Sequence, residues 1–412
     1  MVKNELTSEQ AIALEDKHGA HNYHPLPVVL ERGEGVYVWD VEGKQYFDFL
    51  SAYSAVNQGH CHPAIVGAMM EQAQTLTLTS RAFYNDSLGV YEKYVTEFFG
   101  FDKVLPMNTG AEAVETAIKL TRKWAYEKKG IAENEAVIIV CDGNFHGRTT
   151  TIVSFSNDPD ATVNFGPYTP GFVSIPYNDI DALKAALANK NVAGMLVEPI
   201  QGEAGVYVPS EGYLTATAQL CKDHNVLFIA DEVQTGVART GELLAVHHEN
   251  VQPDVLILGK ALSGGVYPVS AVLANNDIMN VIKPGQHGST FGGNPIAAKV
   301  AIAALEVVKN ENLAANAQAL GTIFRDEMNK LIAETDLVTT VRGKGLLNAI
   351  IINDTPESDT AWNICMALKE NGLLAKPTHG NIIRFAPPLV MNKEQLMECV
   401  AIIRKTILEF NK

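Results

Sequence analysis

The chain has 412 residues, room for about two or three domains and a sizeable core, and a globular composition: 47% hydrophobic, 19% charged, 8% aromatic. A formal charge of −15 argues against a nucleic-acid binder, which would show a basic face. No uninterrupted apolar run of about 18 or more residues occurs, so no membrane span and no membrane partner are expected.

In chain order, the N-terminal stretch MVKNELTSEQAIALEDKHG predicts an opening helix. It holds acidic residues and lacks both an apolar signal core and an Arg/Ser-rich transit pattern. That predicts a cytoplasmic protein, although a chain from which a presequence had been removed would read the same. GVYVWDVEGKQYFDFL alternates its side chains on both sides of Glu42-Gly43-Lys44 and reads as a short β-meander. From about Ala64 helices alternate with short apolar runs: AVIIV (136–140), GMLVEP (194–199), VLFIADE (226–232) and DVLILGK (254–260). Such runs are strands buried on both faces of a mostly parallel sheet with helices on each side, an α/β fold. The helical stretch ENLAANAQALGTIFRDEMNKLI leads to strands near LLNAIII and IIRFAP and to a last helix, KEQLMECVAIIRKTILEF. The expected division is an N-terminal segment 1–53 belonging to a small domain, a large domain 54–312, and a C-terminal small domain 313–412.

Cysteine usage is uninformative about partners. Cys61, Cys141, Cys221, Cys365 and Cys399 include no pair with metal-ligand or redox spacing, so buried reduced thiols are expected. His60-Cys61-His62 has no second ligand pair to complete a structural zinc site, and no metal is expected.

Ligands of open α/β sheets collect at the carboxyl ends of the strands, so the residue just past each apolar run is informative. VLFIA is followed by Asp231, Glu232 and Gln234, and VLILG by Lys260. AVIIV is followed by CDGNFHGR with Phe145 and Arg148, and GMLV by Glu198 and then Glu203. Alone, the aspartate would be a helix N-cap and the lysine would snorkel to water. An amine, an acid, an aromatic ring and an arginine at neighbouring strand ends argue for a site.

Upstream, Thr109-Gly110-Ala111 precedes a helix whose buried face runs Val114, Ala117, Ile118, Thr121 and Ala125. Small residues there let backbone N–H groups and the helix dipole meet a phosphate. GSTFGGNP, with Ser289 and Thr290, is a second loop that on its own would be an ordinary turn. Together these parts describe a pyridoxal 5'-phosphate site. Lys260 answers the cofactor's aldehyde, Asp231 its pyridine nitrogen, Gly110 and Ala111 its phosphate, and Phe145 and Val233 the faces of its ring. A Rossmann dehydrogenase would show G-x-G-x-x-G in the first βα unit, and none is there.

GNFHGRT, VEPIQGEAGV, LFIADEVQTGVARTG and LGKALSGG resemble the class III (subgroup II) pyridoxal-phosphate aminotransferases. HNYHPLPVVLERGEG, SAYSAVNQGHCHP, LTSRAFYN, LPMNTGAEAVETA, GSTFGGNP, RGKGLLNAI and LLAKPTHGNIIRFAPPL narrow the resemblance to the ornithine aminotransferase family. The likeness runs from about Ala20 to the C-terminus. It implies fold type I: a large domain around a mainly parallel seven-stranded sheet, and a smaller α+β domain made from both chain ends. It also implies at least a homodimer with sites at the subunit interface, the loop of Thr290 reaching the neighbouring subunit's cofactor phosphate.

Residue by residue, the resemblance makes Lys260 the Schiff-base lysine and proton shuttle, and Asp231 the partner of the pyridinium. Gln234 contacts the ring 3'-oxygen, Phe145 stacks on the ring, and Gly110 and Ala111 bind phosphate. Tyr23 and Arg148 hold the α-amino and α-carboxylate end of ornithine, and Tyr53 shapes the pocket for it. Arg384 binds the α-carboxylate of glutamate or 2-oxoglutarate and pairs with Glu203 when ornithine is bound. Glu198 is expected to be a structural carboxylate. His146 stands where some relatives carry tryptophan, which leaves the stacking by Phe145 standing.

The implied reaction is ping-pong transfer of the δ-amino group of L-ornithine to 2-oxoglutarate. Its products are glutamate and glutamate 5-semialdehyde, which cyclises to pyrroline-5-carboxylate. The alternative donor is N-acetylornithine or another ω-amino acid. A non-catalytic regulator on the same fold is disfavoured by the intact set Lys260, Asp231, Arg148 and Arg384.

Overall fold

The computed structural model describes residues 6–410. Residues 1–5 and 411–412 of the expected small-domain segments lie outside the described residues. The opening helix, Ser8–His18, is closed by a capping box in which Thr7 and Gln10 exchange hydrogen bonds, and none of its residues is buried. The meander follows as β1 (Leu30–Glu34), β2 (Tyr37–Asp40) and β3 (Gln45–Asp48), each antiparallel to the next. Its β2–β3 turn is fixed by Asp40, whose Oδ1 accepts from Lys44 N at 2.8 Å.

The central sheet comprises β4 (Lys103–Met107), β5 (Val137–Cys141), β6 (Phe172–Ile175), β7 (Val192–Val197), β8 (Leu227–Asp231), β9 (Val255–Leu258) and β10 (Ser270–Ala274). Their order is β4-β10-β9-β8-β7-β5-β6. The run from β9 to β6 is parallel, and β10 is antiparallel to both of its neighbours. Every residue of β7, β8, β9 and β10 is buried. That is why the sequence shows continuous apolar runs in place of alternation. The period of two survives inside the protein: Leu227 and Ile229 pack into one core cluster, Phe228 and Ala230 into the other. Val114, Ala117 and Ile118 of the helix Gly110–Trp124 cover the first of these faces. Ala125 is buried as expected but lies in a π-turn, Ala125–Lys129, beyond the regular helix.

After the helices Pro295–Asn310 and Leu313–Ile332 come β11 (Val338–Lys344), β12 (Leu347–Ile352), β13 (Leu373–Leu374), β14 (Lys376–Thr378) and β15 (Ile382–Phe385). A third sheet has the order β11-β12-β15-β14, while β13 pairs parallel with β3 and ties the two ends of the chain into one sheet. The helix Lys393–Leu408 closes the chain with a capping box at Asn392.

One expectation about the thiols is corrected. Four cysteines are buried, but Cys61 is exposed, because it occupies a positive-φ turn (φ 52°) ahead of the helix Pro63–Ala73. Its neighbours are engaged with carboxylates: His60 Nε2 lies 2.7 Å from Asp48, and His62 Nε2 lies 2.9 Å from Glu311. No helix among the described residues is long and apolar enough to cross a membrane.

Candidate active site

The strands β9, β8, β7 and β5 are consecutive in the sheet, so their carboxyl ends deliver Lys260, Asp231, Glu198 and the Phe145 loop to one place. They meet at a cleft lined by Gly110, Ala111, Phe145, Asp231, Val233 and Lys260 among others.

Lys260 opens a one-turn 3-10 helix directly after β9 and has a φ of 44°, an uncommon backbone state for a residue with a side chain. Burial and the Arg384 guanidinium push its amine down to about 8, against the pull of Glu203, Asp231 and Glu198. An amine in that range has an accessible free-base form, the form that attacks a carbonyl.

Asp231 is the last residue of β8 and is 4% exposed. Its Oδ1 accepts from Val233 N at 3.0 Å, and its Oδ2 lies 2.6 Å from Nδ1 of His146. Burial alone would lower the histidine's pKa; the hydrogen bond and charge of Asp231 reverse this and raise it. Glu198 is buried beside them and accepts from Phe145 N at 2.9 Å. Burial, helped by Asp231, pushes its carboxyl up to about 7. Its bond to Phe145 N ties it to the loop that carries that ring. Glu232 is also buried, accepting from the Thr235 hydroxyl and from Val246 N, and burial pushes it up to about 7.

The helix Gly110–Trp124 begins at the cleft. Thr109 caps it, accepting from Glu112 N, while Glu112 accepts from Asn108 N and Thr109 N. A side chain at Gly110 would come within 2.9 Å of Val233 Cγ1. Close backbone approach is needed here, and it leaves the helix N-terminus facing the cleft bare.

The rim comes from another sheet. Arg384, on β15, is 2% exposed; its Nη1 donates to Glu203 Oε2 at 2.9 Å and to Gly202 O at 3.1 Å. Its guanidinium carbon stands 5.2 Å from the Tyr53 ring centre. Burial would raise the Glu203 carboxyl, but Arg384 overrides that and holds it below the usual range. Tyr53 is raised, by burial first and then by Glu203. Gln234 is buried, and its Nε2 donates to Tyr53 O at 3.4 Å. Tyr53 belongs to a left-handed turn: φ is 49°, 46°, 59° and 71° at Ser51, Ala52, Tyr53 and Ser54.

Tyr23 is close enough to Tyr53 to influence its ionisation, and it is largely exposed. Arg148 lies over Phe145 at 5.7 Å from the ring centre, with only a loose 3.9 Å contact to Asp158. Ser289 is tied to the cradle, its Oγ accepting from Asn108 Nδ2 at 2.9 Å. Thr290 is exposed and lines a separate depression with Leu78–Arg81 and Asn85, outside the Lys260 cleft. Two features escape sequence reasoning. One is the Asp231–His146 contact, whose only signal is a histidine beside Phe145. The other is the left-handed turn, which has no glycine to announce it.

Among known proteins, the class-III aminotransferase family model ("Aminotransferase class-III") matches residues 18–407. An ornithine aminotransferase of Rattus norvegicus is 62% identical over 404 residues, covering 98% of this chain and 91% of its own. A solved structure from Elizabethkingia anophelis, named as an acetylornithine aminotransferase, is 69% identical with a TM-score of 0.91, covering 98% of this chain and all (100%) of that one. The ornithine aminotransferase of Toxoplasma gondii, solved with partial occupancy of PLP, is 49% identical with a TM-score of 0.96, covering 98% of this chain and 94% of that one.

The expected cytoplasmic location is overturned: the relatives from Rattus norvegicus and Drosophila ananassae are both named as mitochondrial. The N-terminal pattern does not decide the point, since targeting segments are removed from mature proteins. With a family match from residue 18 to residue 407 and a type I fold built around the Lys260 cleft, the chain belongs to the class-III aminotransferases.

Proposed function

We propose that this enzyme moves the δ-amino group of L-ornithine to 2-oxoglutarate, using pyridoxal 5'-phosphate. The residues fit the cofactor. Lys260 offers an amine near neutrality, Asp231 an acceptor for the ring nitrogen, and Gly110 and Ala111 a bare helix N-terminus for the phosphate. Phe145 and Val233 wall the ring, and Gln234 and Ser289 border the same cleft and cradle. When bound, the cofactor supplies an aldehyde that accepts the amino group and a ring that takes up the electron pair freed at the adjacent carbon.

The chain's own residues do the rest. Lys260 Nζ holds the cofactor until a substrate amine displaces it, then carries a proton at the reacting carbon. Asp231 keeps the ring nitrogen protonated. Tyr23 and Arg148, exposed at the mouth, take the α-amino and α-carboxylate end of ornithine.

The observation that carries δ-transfer is the Arg384–Glu203 pair, whose arginine is buried. A free Arg384 would draw ornithine's α-carboxylate inward and present the wrong amine. Masked by Glu203, it offers no such anchor, and the far amine reaches the cofactor. An oxo acid brings a carboxylate of its own, which replaces Glu203 in a charge-assisted pair.

Domain limits at 53 and 312 belong to the same reading, supported by the β3–β13 pairing and by Asn312 separating two long helices. So does assembly as a homodimer or higher homo-oligomer. Thr290 sits beside the 78–85 segment with its exposed Phe83 and Tyr84 and does not line the Lys260 cleft, which supports its reaching the cofactor of a neighbouring copy.

N-acetylornithine is the second reading, favoured by the name of the Elizabethkingia anophelis structure. Assaying the purified protein with ornithine, N-acetylornithine and 4-aminobutyrate against 2-oxoglutarate separates the two. Ornithine is expected to give the highest kcat/KM, and a higher value for either of the others overturns the proposal.

A further inference from the structure

We infer that His146 is a positioning residue for the reaction, its Nδ1–H fixing Asp231 as a carboxylate turned toward the cleft. This rests on the proposed cofactor but not on the identity of the amino donor. Phe145 and His146 are adjacent and both line the cleft but differ in exposure: Phe145 is 37% exposed, whereas the His146 side chain is completely buried (0%). A buried ring in that place needs only apolar surface, and Phe155 offers it at 6.0 Å between ring centres. Yet the ring is a polar one, aimed at Asp231 across 2.6 Å.

An ionised carboxylate only accepts, so Nδ1 must carry the hydrogen, and the tautomer is fixed by the contact. With Val233 N on Oδ1 and His146 on Oδ2, both oxygens are tied, and the carboxylate plane cannot turn. The other nitrogen, Nε2, is buried and has no hydrogen-bond partner among the described residues. Packing alone gives no use to that buried polar atom, so the Nδ1 contact is what an imidazole adds here over an apolar ring. The charged groups facing the ring are Asp231 and Glu198, and beyond them Lys260. The imidazole is thus the nearest donor among carboxylates. Without it, Asp231 loses one of its two ties and the charge-assisted bond that holds the plane of its carboxylate.

The test compares His146→Phe with His146→Gln in the loaded enzyme, since a glutamine N–H can donate to Oδ2 and a phenylalanine cannot. His146→Phe is expected to raise the cofactor's dissociation constant and lower kcat, each by about tenfold, the scale of one charge-assisted hydrogen bond. KM should stay nearly constant, and the pH titration of the bound cofactor's absorbance should shift. His146→Gln should recover most of both losses. In proton NMR of the wild-type enzyme, a downfield Nδ1–H signal is expected that disappears in His146→Gln and moves in Asp231→Asn, a reading independent of turnover and of whether the phenylalanine variant folds. An unshifted absorbance titration and unchanged cofactor affinity in both variants would overturn the inference, as would a downfield signal indifferent to Asp231→Asn. If the wild type prefers another amino donor, the ornithine reading fails while these measurements still judge His146.

Discussion

At the floor of the cleft, Asp231 ends a strand of the central sheet, and both of its oxygens are engaged by groups on the same sheet's loops. At the rim, Arg384 stands on β15 of the C-terminal sheet and meets Glu203 across the gap between two sheets. The floor's bonds have no competitor among substrates. The rim's ion pair can be replaced by any carboxylate that fits. The exposures say which partner yields: Arg384 at 2% is locked, whereas Glu203 at 35% can swing toward water. On the proposed reading, one site combines a fixed electrostatic base with an exchangeable mask, and substitutions in the two regions should behave differently.

Lys260→Ala attacks the floor at its centre. Losing the proton carrier alone should cost about 10²–10⁴-fold in turnover, with the covalent hold lost as well. Borohydride reduction and peptide mapping of the wild type checks the premise, and label on any other lysine would remove it. Asp231→Asn should follow, with a fall of about 10²–10³-fold in kcat, the scale of removing one preorganised charge. It should slow both half-reactions alike, as measured by single-turnover spectroscopy; a loss confined to one of them would break the comparison.

Glu203→Ala acts on the rim and should move the half-reactions in opposite senses. The glutamate half-reaction should quicken, and δ-over-α selectivity with ornithine should fall by about tenfold, equivalent to one pKa unit of differential interaction. Unchanged regiochemistry in product analysis would show that the mask is not the gate.

The smallest effect is one of pH. In cofactor-free protein the Lys260 amine lies at about 8, below its ordinary 10.5. The folded state therefore binds that proton less tightly than the unfolded chain does. Below about pH 8 the trapped ammonium opposes folding, and the penalty lifts as pH rises from about 8 toward 10.5. Lys260→Met should accordingly raise the melting temperature of cofactor-free protein more at pH 7 than at pH 9.5. An equal gain at both values would place the amine in ordinary solvent.

The floor was legible in the sequence because a parallel sheet puts function at strand ends. Asp231, Lys260 and Phe145 follow apolar runs that cannot be mistaken for loops. The rim was legible only through resemblance. Nothing local connects Glu203 with Arg384, some 180 positions apart, and their meeting depends on how one sheet packs against another. The contact of His146 was not legible because its partner Asp231 lies 85 positions away, at the end of a strand. Cys61 was placed inside by the statistics of free thiols, which a turn overrode.

The turn at Ser51–Ser54 bears on any attempt to redesign donor choice. Four successive residues in the left-handed region each oppose the preference of L-amino acids, at roughly 1–2 kcal/mol apiece. Asp48 helps to hold the bend, its Oδ1 accepting from Leu50 N and Ser51 N while its Oδ2 meets His60. The backbone of the turn therefore sets where the Tyr53 side chain starts, whatever its ring touches afterwards. Libraries that vary only the side chain at 53 will sample new shapes from a single launching point. To move the wall itself, the engineer must loosen Asp48 or place glycine at Ala52, and thereby redraw the backbone that carries it.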